Sequence, residues 1–415
     1  MSNSKLSVFQ KVFRSLLVCV LLTSPAFAAI SDSEFVELCR EGSLQQIVDA
    51  INDGANVNAK VSGGFTPLIF AAAINPNPEV ITVLIHAGAD VNARTDEGWS
   101  AEGGLSPLMA AVVDKSLYPD SIMALINAGA DVNAKNRAGW TPLILAAGND
   151  NSNPDIIRAL IDAGADVNAR TIEDGSTPLV WAAERCSNPE VITVLLDSGA
   201  NPAARKTIVQ NRGGNIIQLA IDLARDNINL KDTEVLKRLE EETHNALLTE
   251  RRNLDFLELC KTGSIQRIKD AIRNGANINA RFEVGRTPLM LTVFDNSSQE
   301  VVTTLISEGA DVHLRDEHEW TPIMFAAGHN SNPEVITAII EAGADVNAID
   351  VLGFTPLMLA AFNNTNPEVI TILLEFGADP QVKNRTNNMT AIEYAQRNQK
   401  LKKTDALKKL EEMSR

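Results

Sequence analysis

Histidine, cysteine and aromatic residues are scarce in this chain of 415 residues, which holds five histidines, four cysteines, four tryptophans and two tyrosines. No histidine has a second one four positions away, so the H-E-x-x-H arrangement of a zinc peptidase is absent. Gly213-Gly214 lacks the Lys-Ser/Thr that a phosphate loop requires, and no G-x-S-x-G turn occurs to present a serine nucleophile. His313 and His318, near Asp311, Asp316 and Glu317, are residue types that bind metals, but in one polar loop they read as solvated surface. No catalytic residue, cofactor or metal is expected, and an enzyme with an unfamiliar metal-dependent site is the weaker alternative.

Basic residues are also in short supply. Lysine and arginine total 37 against 53 acids, a net charge of −16. Such a chain repels phosphate backbones and anionic lipid, which argues against nucleic acid or membrane surfaces as partners and favours a protein partner with a basic patch. Oligomeric state is not legible. Cys39, Cys186 and Cys260 are odd in number once Cys19 is set aside, so they form no closed disulfide set and are expected as small buried apolar groups.

The one compact apolar run without charges at the start of the chain is Leu16–Leu22. Lys5, Lys11 and Arg14 precede it and Ala26-Phe27-Ala28 follows, the pattern of a Sec-type signal peptide over residues 1–28. The run is shorter than the roughly 20 residues of a membrane anchor. Val18 before Cys19 is too bulky for a lipoprotein site. The expected product is exported to the periplasm, or else to the medium or a host, and removal of three basic residues takes its charge to −19.

What the chain has in abundance is repetition. Thr-Pro-Leu or a close variant begins at Thr66, Ser106, Thr141 and Thr177, then at Thr287, Thr321 and Thr355, with gaps of 40, 35 and 36 and then 34 and 34 residues. Asn-Pro-Glu/Asp recurs at Asn77, Asn153, Asn188, Asn332 and Asn366, and Gly-Ala-Asp-Val-Asn-Ala at Gly88, Gly129, Gly164 and Gly343. Thr before Pro is an N-cap with proline at the first helical position, Asn-Pro-Glu repeats that signal, and the glycine ends the second helix. Phe354–Pro380 thus predicts two short antiparallel helices too apolar to stand without neighbours on both sides.

A period near 34 with these motifs resembles the ankyrin repeat. The resemblance covers residues 33–412 and implies an all-α solenoid of helix pairs joined by hairpin-like finger loops, whose concave face binds another protein without a reaction of its own. A secreted effector or inhibitor of a host or competitor protein is the alternative of the same physics. The family's histidine after Thr-Pro-Leu is missing; Ile69, Met109, Ile144, Val180, Met290, Met324 and Met358 stand there, and apolar packing should replace its hydrogen bond.

The segments 33–60 and 254–281 are near copies at an offset of 221, and those from Ala220 and Ala391 at an offset of 171. Two homologous arrays follow: residues 29–245 with about six repeats and residues 246–415 with about five, each with atypical ends. Thr233–Gly263 has no glycine or proline before its last residue and predicts helix, which fits either one superhelix or two rigid arcs.

Aromatic residues cluster at one motif position. Trp99, Trp140 and Trp320 precede a Ser/Thr, Phe65 and Phe354 fill the same slot, and Ser176 and Arg286 take it elsewhere. In the ankyrin family this slot lies at the finger base on the concave side and commonly meets the partner. Trp99, Trp140, Trp320, Phe65, Phe354 and Arg286 are therefore the candidate binding residues, with packing on the next repeat as the alternative, favoured for the two phenylalanines. The insertion Ala101–Ser106 lengthens one finger and adds Leu105 as an exposed candidate. Trp181, inside a first helix, is expected in the core.

Overall fold

The computed structural model describes residues 30–96, 103–113, 118–208, 216–262, 264–294 and 298–414. The signal-like segment, Trp99 and residues 97–102 lie outside the described residues. The chain divides into two compact units between Thr243 and His244, within the helix Glu234–Thr262. No described helix is long and apolar enough to cross a membrane.

The first unit is a series of helix pairs: Asp32–Glu41 with Leu44–Asn52, Pro67–Ile74 with Pro78–His86, Pro107–Val113 with Pro119–Asn127, Pro142–Ala147 with Pro154–Asp162, Pro178–Arg185 with Glu190–Asp197, and Ala220–Asp226 with the start of Glu234–Thr262. The second unit repeats the plan: the end of Glu234–Thr262 with Ile265–Arg273, then Pro288–Phe294 with Gln299–Ser307, Pro322–His329 with Pro333–Glu341, Pro356–Asn363 with Glu368–Glu375, and Ala391–Arg397 with Asp405–Met413. Within each unit, and leaving Glu234–Thr262 aside, first helices pack on the next first helix and second helices on the next second helix. One finger of the first unit extends into an antiparallel strand pair, with Arg205 opposite Leu219 and Ile208 opposite Ile216.

Local chemistry sets the element ends as the motifs predict. The hydroxyls of Thr66, Ser106, Thr141, Thr177, Thr287 and Thr355 each accept the N–H three residues on, at 3.3 Å. Thr321 departs from this: its hydroxyl is buried and unbonded. In Asn-Pro-Glu/Asp, the Asn side chain accepts the N–H two residues on. Gly377 takes φ +88°, the left-handed conformation that ends the second helix.

First helices are buried almost all round, as Pro67–Ala73 shows, because they lie between neighbours and under their own second helix. Second helices bury one side only, such as Val80, Ile81 and Leu84. One core runs from Phe35 to Leu239 in the first unit and another from Phe256 to Leu410 in the second. The apolar residues in place of the family's histidine are buried, from Ile69 to Met358. The three cysteines are free and buried. Phe376 is 42% exposed, because it is the capping residue after the last helical turn.

Two asparagine interlocks join the repeats. At the end of a first helix, Asn75, Asn149, Asn227, Asn330, Asn364 and Asn398 donate carboxamide N–H bonds to carbonyls at the same place in the preceding repeat. In the turn after a second helix, the Asn before the final Ala of Gly-Ala-Asp-Val-Asn-Ala, or of its variants Gly-Ala-Asn-Val-Asn-Ala and Gly-Ala-Asn-Ile-Asn-Ala, reaches forward. Asn58, for example, donates to the Gly88 carbonyl at 2.9 Å and accepts from the Asp90 N–H at 2.7 Å. Asn92, Asn133, Asn279 and Asn347 repeat this bridge.

Candidate binding surface

The motif slot before each N-cap is built by the finger. The N–H of Asn136 donates to the Trp140 carbonyl, that of Asp316 to Trp320 and that of Asp350 to Phe354, each at 3.0–3.1 Å. The same three side chains accept the N–H of the aromatic residue at 2.7–2.9 Å. An Asn or Asp four residues upstream thus fixes the ring's backbone from both sides, an Asx turn that a sequence scan can find. Trp320 is tied further by its indole Nε1–H, which donates to Asp350 Oδ2 at 2.9 Å.

The insertion changes which residue enters the slot. In its repeat the Thr95 N–H donates to the Leu105 carbonyl, and the Thr95 hydroxyl accepts the N–H groups of Gly104 and Leu105. Leu105 therefore stands where Trp140 and Trp320 stand in theirs. The expectation of an exposed Leu105 is corrected: it is 3% exposed and packs with Met109, Ala134 and Leu145, since the turn closes on it. Trp99 lies outside the described residues.

In the first unit, Phe65 is buried and meets Phe70 at 4.9 Å between ring centroids, so it serves packing. Trp140 is half-buried and meets Trp181 of the next repeat at 4.7 Å. Trp181 is corrected from core to half-buried. It lies over Gly148, where a Cβ would come within 3.2 Å of the ring, at a helical position where Leu145 is likewise half-buried. The two indoles, with Val113, Leu145, Gly148 and Asn149, line a shallow hollow. Arg185 lies over the Trp181 ring at 5.4 Å and Lys206 at 5.9 Å. Lys206 is also paired with Glu184 at 2.6 Å.

In the second unit the half-buried Trp320 meets Phe325 at 5.0 Å and His329 at 6.2 Å. Phe294, 43% exposed, meets His329 at 4.7 Å. Arg286 lies over Phe325 at 5.1 Å and forms an ion pair with the buried Asp316 at 3.6 Å. Phe354, half-buried, and Phe362, 58% exposed, each meet Tyr394 at 5.5 Å. Trp320 and Phe354 pack on the same buried group, Met324, Ala348 and Leu359. Burial, and secondarily the Arg286 charge, holds the His329 pKa below its usual value of 6.5, so the patch carries a neutral imidazole at pH 7.

Two helical positions thus supply rings that the slot alone did not reveal. Trp181, Phe325 and Tyr394 lie four residues after the N-cap, and Phe294 and Phe362 seven after it. Spacing of three or four residues puts them on one helix face, a signal hidden because the first helices are apolar on every side. Another exposed apolar group sits on one finger tip, where Ile349, Val351 and Leu352 are 40–51% exposed. Among the described residues no group of three or more His, Cys, Asp or Glu could hold a metal ion.

A family model described as ankyrin repeats (3 copies) matches residues 35–136, 108–206, 256–350 and 332–412. Over 65 residues the chain is 42% identical to the human mitochondrial disaggregase and 40% identical to the bovine one. Each of these matches covers 16% of this chain, and the aligned stretch is 9% of the human protein and 10% of the bovine one.

Proposed function

This chain belongs to the ankyrin-repeat family, whose arrays are protein-binding modules, and on that premise we propose that it binds a partner protein through the face carrying its finger bases and first helices. The observation that carries this reading is the grouping of half-buried and exposed rings there: Trp140 with Trp181, and Trp320 with Phe294 and His329. Tryptophan and arginine dominate binding hot spots because a rigid ring covers a large area at modest entropy cost. Trp140, Trp320, Phe354 and Arg286 are the contact residues of this reading, with Trp99 as a further candidate. Phe65 and Leu105 support from beneath.

The protein acts without a reaction of its own, as a scaffold or as an inhibitor that occupies its target. The signal-like residues 1–28 support export, to the periplasm or beyond the cell. The charge of −19 left after removal of residues 1–28 favours approach by a partner with a basic patch, with an association rate that falls as salt rises.

The test uses residues 29–415 as bait against periplasm and medium, beside a Trp140→Ala, Trp320→Ala double variant whose helical circular dichroism matches. A partner held by the first and released by the second supports the reading. A partner held equally by both moves the contact to the finger tip at Ile349–Leu352 or to the second helices.

A further inference from the structure

Resting on the binding reading, and naming the ligand chemistry for one part of that surface, we propose that the Trp140–Trp181 hollow takes a peptide segment carrying an apolar side chain beside a side-chain carboxylate. The hollow supplies the apolar half. It is lined by the two indoles, Val113, Leu145, Gly148 and Asn149.

The charged half follows from how the cations around Trp181 are used. Lys206 is spent: its ammonium sits 2.6 Å from Glu184, and its side chain is only 10% exposed. Arg185 is not. Its guanidinium lies over the indole at 5.4 Å, and among the described residues no carboxylate approaches it within ion-pair distance. A guanidinium beside a ring keeps N–H groups that can match a carboxylate with two parallel hydrogen bonds. The hollow and the Arg185 guanidinium share the Trp181 ring as a border. The patch is thus locally cationic within a strongly acidic chain: the long-range field governs what arrives, and Arg185 governs what fits.

The rings of the second unit lack this feature. Arg286 is held by the buried Asp316, and His329 is neutral at pH 7. The preference for a carboxylate belongs to the first unit alone.

The test titrates residues 29–415 with three end-blocked hexapeptides: Gly-Glu-Leu-Glu-Phe-Gly, its Glu→Gln counterpart and its Glu→Lys counterpart. Tryptophan fluorescence and calorimetry report binding. The acidic peptide should bind about tenfold more tightly than the Gln form, the size of one charge-assisted bidentate contact, and more tightly still than the Lys form. Arg185→Gln should bring the acidic and Gln forms to equal affinity, and Trp140→Ala should weaken both. Arg185→Lys, which keeps the charge without the planar edge, should recover only part of the preference. A Lys peptide that binds as well as the acidic one, a preference that survives Arg185→Gln, or no binding by any peptide overturns the assignment. If the Lys peptide binds and Trp140→Ala abolishes it, the binding surface stands and only its carboxylate preference falls.

Discussion

Asn364 donates its carboxamide N–H to the main-chain carbonyl of Asn330 at 2.9 Å, and Asn330 in turn donates to Val293 of the repeat before. Asn398 bonds Asn364 in the same way, so three successive joints of the second unit are made by one side-chain type in one register. Asn364 is 2% exposed, and its Oδ1 is taken by the Asn366 N–H, so every polar atom it brings into the core is used.

Replacing Asn364 by alanine leaves the Ala327 and Asn330 carbonyls without their donor in a buried joint. The expected loss is roughly 2–3 kcal/mol, the cost of orphaned buried groups, measured as a lower urea midpoint by circular dichroism. A change under 0.5 kcal/mol would mean that water replaces the carboxamide.

His313 occupies the turn position where Asn279 and Asn347 bridge forward, and no bond from its side chain to Gly343 or Asp345 corresponds. His313→Asn should complete the series. A gain of about 1 kcal/mol, a typical net hydrogen bond, is expected as a raised melting temperature. No gain would show that the turn around Gly343 is held well enough without it.

Two threonines at the same motif position should respond differently to valine. Thr355→Val removes a helix cap and should cost about 1 kcal/mol. Thr321→Val exchanges a buried, unbonded hydroxyl for a methyl group and should be neutral or stabilising. Equilibrium urea curves on the two single variants decide it.

Burial pushes the thiols of Cys39, Cys186 and Cys260 up to about 12. The thiolate is the reactive form, so native protein lacking residues 1–28 should resist iodoacetamide at pH 8 and take up three labels once unfolded in urea. Rapid native labelling at any one position would place that cysteine in a repeat that opens locally.

His329 has a pKa below 6.5 in the folded chain, so the unfolded chain binds its proton more readily. Above that range both states are neutral and the group contributes nothing to pH dependence. As pH falls through 6.5 the unfolded state gains the proton first, and stability drops. His329→Gln should flatten the melting temperature between pH 7.5 and 5 relative to the parent, whose other groups are unchanged.

The helix pairs were legible because their signals are local: Thr-Pro, Asn-Pro and a terminal glycine each act within one turn. The interlocks were not. Asn364 reads as a loop residue until its partner, 34 residues away, is known. The slot rings were half legible. Trp140 and Trp320 stand where the motif puts them. Trp181 reads as core because it lies inside a first helix, but at its helical position Leu145 and Leu291 are half-buried while Phe70 and Phe325 are buried, so place in the helix alone does not decide exposure. The insertion misled for a different reason: Trp99-Ser100 imitates Trp320-Thr321, yet the finger closes on Leu105-Ser106, whose hydroxyl caps the helix.

Each asparagine joint is made between immediate neighbours and is indifferent to what lies two repeats away. A whole period can be deleted or duplicated, and the flanking asparagine meets the same carbonyls as before. The first unit has six helix pairs and the second five, with closely similar opening and closing segments. Copy number is therefore a variable that a lineage can change in one recombination event, lengthening or shortening the binding face while every surviving joint keeps its geometry.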